Sequence, residues 1–234
     1  LHGGRPYLSL KLDRGRAVVE ALPRDYPFMT KPLYYSEPEV GEVYGGVTAG
    51  AFLVRYLSLS MRDVVYGYVV KRYLSSETVR EVVLDREYSY TFKTKGVLVW
   101  SPPHPEYDDY GNAEAFHAIE HALISAAEVV IGASPTDLGG VSFPSGHIFI
   151  YDSYPGGSGI SKEVFKRFAE VLRVAREIVT KCTCRDGCPR CIYSPYCGNN
   201  NKILSRRKAA RIIEERIAAP AMSSPPARYG RPVA

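Results

Sequence analysis

Several features are absent from this 234-residue sequence, and each absence excludes a class of protein. No apolar run approaches the roughly 20 residues that a membrane-spanning helix needs, so we expect no membrane partner. No phosphate-binding loop of the form G-x-x-x-x-G-K-(S/T) occurs, which excludes a P-loop nucleotidase within this chain. Nothing near the N-terminus reads as a secretion signal, and no cysteine lies outside residues 182–197, which argues against a disulfide-rich secreted protein.

What is present is typical of a folded protein. The sequence is 45% hydrophobic and 24% charged, and it is long enough for one domain or two small ones. Its net charge of +5 is a mild indication of a polyanionic partner. The chain begins at Leu1 without a methionine, from which we expect a fragment of a longer protein.

All five cysteines fall within residues 181–201, which read KCTCRDGCPRCIYSPYCGNNN. Thiolates hold Zn²⁺ in tetrahedra, and a Cys-x-x-Cys pair lets one turn aim two sulfurs at the ion. We therefore predict one structural zinc ion in a Cys-x3-Cys-x2-Cys-x5-Cys pattern, with the ligands Cys184, Cys188, Cys191 and Cys197. Four thiolates leave no position for water, so the predicted ion is not catalytic.

Two alternatives remain open for this segment. Cys182 lies two residues before Cys184, on the same side of an extended chain, and is able to replace it as a ligand. The cysteines could instead pair as disulfides, although five is an odd number and pairs so close in sequence make poor cross-links.

Residues 1–101 have the alternating pattern of β-strands, which predicts an antiparallel sheet or a small open barrel. Residues 7–12 and 16–22 predict a hairpin, and four prolines within residues 23–38 predict an extended loop. Shorter strands are predicted over residues 52–59, 64–73, 79–84, 88–94 and 96–100. The Pro-rich residues 102–112 are the predicted linker.

Residues 113–219 predict a mostly helical domain around the cysteine segment, so the expected fold class is α+β. Apolar spacing predicts a helix that Asn112 caps, a second over residues 161–180 and a last one over residues 205–219. Residues 138–144 predict a Gly-rich loop, and residues 147–151 predict a short buried strand. The Pro-, Ser- and Ala-rich residues 220–234 predict a disordered tail.

A histidine motif lies on the first predicted helix. His117 and His121 are four residues apart on one helical face, with Glu120 beside them, which matches the H-x-x-E-H pattern of inverted zinc peptidases. No partner motif supplies a third ligand convincingly. We therefore favour a structural polar network or a nucleic-acid contact, and we keep a zinc hydrolase as a distant alternative.

A glycine-rich turn precedes the second predicted helix. It begins at Asp152 and includes Gly156 and Gly157, and such turns can bind anions at a helix N-terminus. A tight strand-to-helix turn explains the same glycines, and we favour that interpretation.

A run of cations opens the last predicted helix. Two interpretations have equal weight, a solvated helix face and a surface that contacts nucleic-acid phosphates. The candidate residues are Lys202, Arg206, Arg207, Lys208 and Arg211.

With these residues in view, the sequence resembles one known family. Residues 116–201 resemble the MrfA-type zinc-binding domain, which ends the MrfA and Hrq groups of superfamily 2 DNA helicases. The matching strings, in the family's order, are His117-Ala-Ile-Glu-His121, Asp137-Leu-Gly-Gly140, Ile148-Phe-Ile-Tyr-Asp152, Tyr154-Pro-Gly-Gly-Ser-Gly159, Cys184-Arg-Asp-Gly-Cys188-Pro-Arg-Cys191 and Ser194-Pro-Tyr-Cys197-Gly198. The N-terminal half is similar to the segment that precedes this domain.

The resemblance implies a non-catalytic accessory domain of an ATP-dependent DNA repair helicase, in the cytoplasm. Its expected partners are DNA, single-stranded or forked, and helicase motor domains. The alternative is a stand-alone interaction module of an anti-phage defence complex, because related defence proteins carry the domain without an intact motor. The resemblance also explains His117 and Glu120 as part of the family's own pattern, without a peptidase.

Overall fold

A computed structural model describes residues 2–13, 15–75 and 77–220. The strands are β1 (Tyr7–Asp13), β2 (Arg16–Ala21), β3 (Phe28–Ala49), β4 (Phe52–Arg72), β5 (Thr78–Trp100), β6 (Leu138–Ser142) and β7 (His147–Asp152). The helices are α1 (Asp109–Ile131), α2 (Ile160–Lys166), α3 (Phe168–Lys181) and α4 (Arg206–Ala218). The predicted tail falls, from residue 221 onward, outside the described residues. None of the helices in the described ranges has the length and apolar character that crossing a membrane requires.

The predicted α+β fold class is confirmed. Strands β1 and β2 pair antiparallel as the expected hairpin, and a second sheet has the order β3-β4-β5-β7-β6. Within it β5 pairs antiparallel with β7, and β7 pairs antiparallel with β6. The N-terminal part therefore forms a sheet, and helices α1 to α4 follow β5.

The chain divides into two compact units that do not follow the predicted linker at residues 102–112. One unit comprises residues 1–33 and 65–88, and the other comprises residues 34–64 and 89–234. The reason lies in strand pairing, because residues 96–100 of β5 pair with β7. The end of the predicted β-rich half and the zinc-binding half therefore share one sheet.

The strands of the N-terminal half are longer than predicted. Strand β3 has 22 residues and includes most of the predicted loop, β4 has 21, and β5 has 23 and unites three of the short predicted strands. Proline lacks the amide that a central strand donates, but an edge strand tolerates it. Strand β3 lies at the sheet edge, so Pro32 and Pro38 are compatible with a strand that the sequence pattern did not indicate.

Helix α1 forms the centre of the core in the second unit. It begins after Asp108, whose carboxylate accepts a hydrogen bond from Gly111 N at 2.7 Å, so Asp108 and not Asn112 is the N-cap. Its side chains Phe116, Ile119 and Leu123 are fully buried. The helix packs against α3, α4 and β6, and this places its polar face beside the cysteine segment.

Two other elements differ in detail from the sequence pattern, and two agree with it. The second predicted helix is interrupted at Arg167, which ends α2 and starts α3. The Gly-rich residues 138–142 form strand β6 instead of a loop, since β7 supplies the pairing partner. The buried strand β7 and helix α4 appear where they were predicted, and Ser205 caps α4 through Lys208 N.

Candidate metal centres and basic surface

Four cysteine thiols converge at the end of α3. The sulfur atoms of Cys182, Cys184, Cys188 and Cys191 lie within 4.8 Å of one another. Neighbouring pairs are 3.5 to 3.6 Å apart. A tetrahedron of zinc–sulfur bonds of about 2.3 Å has edges of about 3.8 Å, so this cluster has the dimensions of a four-thiolate zinc site.

The local backbone explains how the four sulfurs meet. Cys182 ends α3 in an extended conformation, with φ −83° and ψ 139°, so its side chain and that of Cys184 point to the same side. Cys188 and Cys191 face the same point because the amide of Cys191 donates to the carbonyl of Cys188 at 3.0 Å and closes a turn. Gly187 precedes this turn with φ 155° and lies against the ring of Tyr193.

The cluster differs from the predicted ligand set in one member. Cys184, Cys188 and Cys191 come together as expected, but Cys182 takes the place that the sequence pattern gave to Cys197. Cys197 is separated from Cys191 by the turns of residues 192–196 and lies against α1 instead. Cys182 therefore does not replace Cys184 in the cluster, because the cluster contains both residues.

The thiols of this cluster have unequal proton affinities. A hydrogen bond from the backbone of Cys184 lowers the pKa of Cys182 to about 6. Burial raises the pKa of Cys191 to about 12. A metal ion must displace the proton from each thiol that it binds, and this requires less free energy at Cys182 than at Cys191.

The remaining cysteine belongs to a second cluster. One ring nitrogen each from His117 and His121 and the sulfur of Cys197 lie within 4.8 Å of one another. The distance from Cys197 Sγ to His117 Nε2 is 3.6 Å, and the two imidazoles meet edge to face with centroids 4.5 Å apart. Cys197 Sγ also accepts from Asn201 N at 3.2 Å and donates to Asn199 Oδ1 at 3.0 Å.

Glu120 of the same helix is buried against β6. Its carboxylate accepts a hydrogen bond from Ser142 Oγ at 2.7 Å. Burial raises the pKa of Glu120 to about 8, and the bond from Ser142 opposes that shift. A side chain at Gly140 would overlap this carboxylate, so glycine is required where β6 passes α1.

The second cluster and Glu120 line a common cavity of about 400 Å³. Its wall also includes Tyr34 and Tyr151, and burial raises the pKa of Tyr34 to about 12. Burial likewise lowers the pKa of His117, because the imidazolium form loses its hydration. The cavity therefore favours a neutral imidazole as well as neutral phenols.

The turn that begins at Asp152 is organised by its own carboxylate. Asp152 is fully buried and accepts from the amides of Gly159, at 3.0 Å, and Ser161, at 2.7 Å. Gly157 has φ 85°, and a side chain there would lie 2.9 Å from the same carboxylate. Gly156, also at φ 85°, donates its amide to Lys93 O. The protein's own anion occupies this turn, which favours the interpretation as a tight strand-to-helix turn.

Arg206, predicted to contact nucleic acid, has an internal role. Only 7% of its surface is exposed. Its Nε donates to Cys184 O at 2.7 Å, and its Nη1 donates to Val179 O. Arg206 thus joins α4, the end of α3 and the four-cysteine cluster, and it is withdrawn from the predicted DNA-contacting surface.

The other predicted cations divide into two groups. Lys208 pairs with Glu114 at 2.6 Å, and Arg211 pairs with the exposed Glu106 at 2.7 Å, so both cations already have carboxylate partners within the chain. Lys202 and Arg207 are exposed. The predicted surface is therefore reduced at α4. The exposed Arg185 of the cysteine segment lies near the start of α4, since Arg206 N donates to Asp186 O at 2.9 Å, and its guanidinium is 3.7 Å from the exposed carboxylate of Asp186.

The sequence model of the MrfA Zn-binding domain family matches residues 119–192, a range that contains all members of the four-cysteine cluster. An uncharacterized protein of Methanocaldococcus jannaschii is 33% identical over 111 residues, which cover 44% of this chain and 99% of that protein. The chain belongs to the MrfA Zn-binding domain family. This confirms the family resemblance, and it confirms zinc as the cofactor, since the clustered thiols are able to hold the ion.

Two helicases are each similar to part of this chain. The uncharacterized ATP-dependent helicase YprA of Bacillus subtilis is 56% identical over 68 residues, which cover 29% of this chain and 8% of the helicase. ATP-dependent helicase HRQ1 of Saccharomyces cerevisiae is 29% identical over 68 residues, which cover 28% of this chain and 6% of the helicase. The chain thus spans less than a tenth of these two helicases.

Solved structures confirm the fold over most of the chain. The DUF1998 helicase MrfA bound to DNA superimposes with a TM-score of 0.59 and 21% identity, over 92% of this chain and 29% of that one. A second crystal structure of the DUF1998 helicase MrfA superimposes with a TM-score of 0.54 and 20% identity, over 92% of this chain and 28% of that one.

Proposed function

We propose that this chain is the non-catalytic zinc-binding accessory domain of an ATP-dependent DNA helicase, and that it contacts the DNA backbone. The observation that carries the proposal is the four-cysteine cluster inside the segment that matches the MrfA Zn-binding domain. The proposed ligands are Cys182, Cys184, Cys188 and Cys191. Four thiolates close the coordination sphere, so this zinc ion supports the loop and does no chemistry.

The exposed cations next to the zinc loop support a DNA-contacting role. The amide of Arg206 donates to Asp186 O at 2.9 Å, which fixes the start of α4 against the cysteine segment. Arg185 and Arg207 each adjoin one of these two residues, and both are exposed. The zinc ion would hold these cations in one place, where they can contact successive phosphates.

The DNA that this surface fits is single-stranded or forked, and the setting is DNA repair in the cytoplasm. Phosphate contacts carry no sequence information, so the proposed contribution is tolerant of sequence. A helicase needs such contacts because it moves along many sequences. The relative MrfA was solved bound to DNA, which agrees with this role for a domain of the same fold.

The hairpin of β1 and β2 is the proposed contact with the motor domains. All of its described residues are exposed, and Leu8, Leu10 and Leu12 are 48%, 57% and 79% exposed. Exposed apolar side chains so close together mark an interaction surface. Replacing Leu10 and Leu12 with serine should weaken the association of the chain with helicase motor domains and leave the stability of the chain unchanged.

The defence-complex module remains the alternative, and it uses the same surfaces with a different partner. Co-purification of the chain with a motor-containing helicase supports the first proposal. Co-purification with a complex that has no ATPase supports the alternative.

A salt titration tests the DNA contact. Binding of a fluorescent single-stranded oligonucleotide should weaken steeply as salt rises, because each neutralised phosphate releases counterions. Replacing Arg185 and Arg207 with Gln should reduce the slope by roughly 1–2 units. Replacing Lys162 and Lys166 of α2 with Gln removes the same charge elsewhere and serves as the control. Equal slopes for the two double variants would contradict the proposed surface.

A further inference from the structure

We infer that His117, His121 and Cys197 form a second metal site, which binds Zn²⁺ with three protein ligands. The four-cysteine cluster accounts for the zinc of the family, and it does not include these residues. The inference is independent of the proposed role in a helicase, because it rests on the geometry of the three side chains and their surroundings.

The ligand distances fit a tetrahedral ion. With zinc–nitrogen and zinc–sulfur bonds of about 2.0–2.1 and 2.3 Å, a nitrogen and a sulfur ligand are separated by about 3.6 Å. The observed distance from His117 Nε2 to Cys197 Sγ is 3.6 Å. All three donor atoms lie within 4.8 Å of one another, so one ion can reach each of them after small side-chain movements.

Hydrogen bonds orient both imidazoles for metal binding. His117 Nδ1 bonds to Ile203 O at 2.9 Å, and His121 Nδ1 bonds to Ile192 O at 2.5 Å. A carbonyl oxygen only accepts, so each Nδ1 carries the proton and each Nε2 carries the lone pair. Metal-binding histidines in proteins have this arrangement, in which a carbonyl or carboxylate fixes the tautomer and the ring.

The backbone after Cys197 has an unusual conformation that directs two of its polar groups toward the proposed ligands. Asn200, Asn201 and Ile203 have φ of 60°, 61° and 55°, a region that L-residues and above all β-branched ones rarely adopt. This conformation turns Asn201 N toward Cys197 Sγ, at 3.2 Å, and Ile203 O toward His117. Strained backbone of this kind persists where the surroundings fix it, and here it serves the proposed ligands.

Three protein ligands leave a fourth position, and this distinguishes the site from the four-thiolate one. The ligands line the cavity of about 400 Å³ that also contains Glu120, so the fourth position faces a polar space. Water or another oxygen ligand would complete the tetrahedron. One imidazole partner, Ile192, follows Cys191 directly, so the same loop supports both metals.

Cadmium-113 NMR of the whole chain tests the inference. Cd²⁺ replaces Zn²⁺ at such sites, and its chemical shift separates a thiolate-only site from one with two nitrogens and one sulfur. We expect two bound ions per chain and two resonances. A single resonance with one ion per chain, in the unsubstituted protein, overturns the inference without any variant.

Two variants assign the second resonance. His121→Gln and Cys197→Ser should each lose the nitrogen-containing resonance and half of the bound metal, and should keep the four-thiolate resonance, which also reports that the loop has folded. His147→Gln is the control, because His147 is equally buried but lies on β7 outside the cluster. Retention of both resonances in His121→Gln and Cys197→Ser would also overturn the inference.

Discussion

At the scale of single residues, Arg206 shows that a cation within a basic run can be buried and have a structural role. Arg206 and Arg207 are adjacent in the same basic run, so the sequence does not distinguish their roles. The fold buries Arg206 and exposes Arg207, because the guanidinium of Arg206 donates to one carbonyl in the last turn of α3, that of Val179, and to the carbonyl of Cys184 in the cysteine segment.

Arg206→Met should therefore destabilise the protein. The substitution leaves the carbonyls of Cys184 and Val179 without these donors, which should lower the free energy of unfolding by about 2–4 kcal/mol. Arg207→Met is the matched control and should change it by less than about 0.5 kcal/mol. Denaturant unfolding at saturating zinc measures both, and equal effects would argue against the internal role of Arg206.

The cysteines show a second limit of prediction from sequence spacing. The sequence has a fifth cysteine outside the predicted ligand set, and a two-histidine motif for which spacing identifies no third ligand. Proximity of Cys197 to α1 depends on the turns of residues 192–196, so spacing alone favoured Cys197 over Cys182 in the four-thiolate set. In the structure a cysteine left out of the four-cysteine cluster lies beside the histidine motif, with 3.6 Å between Cys197 Sγ and His117 Nε2.

Cobalt spectroscopy distinguishes the two cysteines. Cys182→Ser should remove one thiolate from the four-cysteine site, shift its Co²⁺ d–d bands and weaken metal binding at least tenfold. Cys197→Ser should leave the four-thiolate bands unchanged. Titration of Co²⁺ into both variants under reducing conditions supplies the comparison, and unchanged bands in Cys182→Ser would restore the ligand set predicted from spacing.

At the scale of elements, helix and strand existence was more predictable than strand length. Strand β7 and helix α4 have strong local patterns and appear where they were expected. Strand β6 has two glycines and no apolar alternation, and only its pairing with β7 makes it a strand. Pairing across the sheet also extends β3 through Pro32 and Pro38, which a local pattern interprets as a loop.

The contact of β6 with α1 gives a prediction at this scale. Gly140→Ala would force the carboxylate of Glu120 away from Ser142 Oγ and should cost about 1–3 kcal/mol of stability. Gly46→Ala is the control, because a side chain there meets its nearest atom, Val54 O, at 3.6 Å. Thermal unfolding of the two variants measures the difference. Equal unfolding temperatures for Gly140→Ala and Gly46→Ala would contradict this packing.

At the scale of the whole molecule, the sequence motifs identified the family and the cofactor but not the division into units. The zinc cluster and the family strings depend on short stretches of chain, which can be read directly. The boundary depends on long-range pairing, since β5 joins the β-rich half to β7, and no local composition reports that pairing.

A whole-molecule prediction concerns catalysis. The purified chain should not hydrolyse ATP, because the sequence lacks a phosphate-binding loop. A coupled assay with and without single-stranded DNA measures this. Hydrolysis that persists through further purification and is lost on substitution within this chain would contradict the accessory role.

We propose that a four-thiolate zinc ion organises a loop that contacts DNA, and metal removal tests this proposal most directly. Single-stranded DNA binding should be measured on one preparation before chelation, after chelation and after Zn²⁺ is restored, at constant salt. Metal binding to such loops is coupled to their folding. We predict that chelation weakens DNA binding at least tenfold and that Zn²⁺ restores it. Metal-free protein that binds DNA with unchanged affinity and salt dependence would contradict this role of the zinc ion.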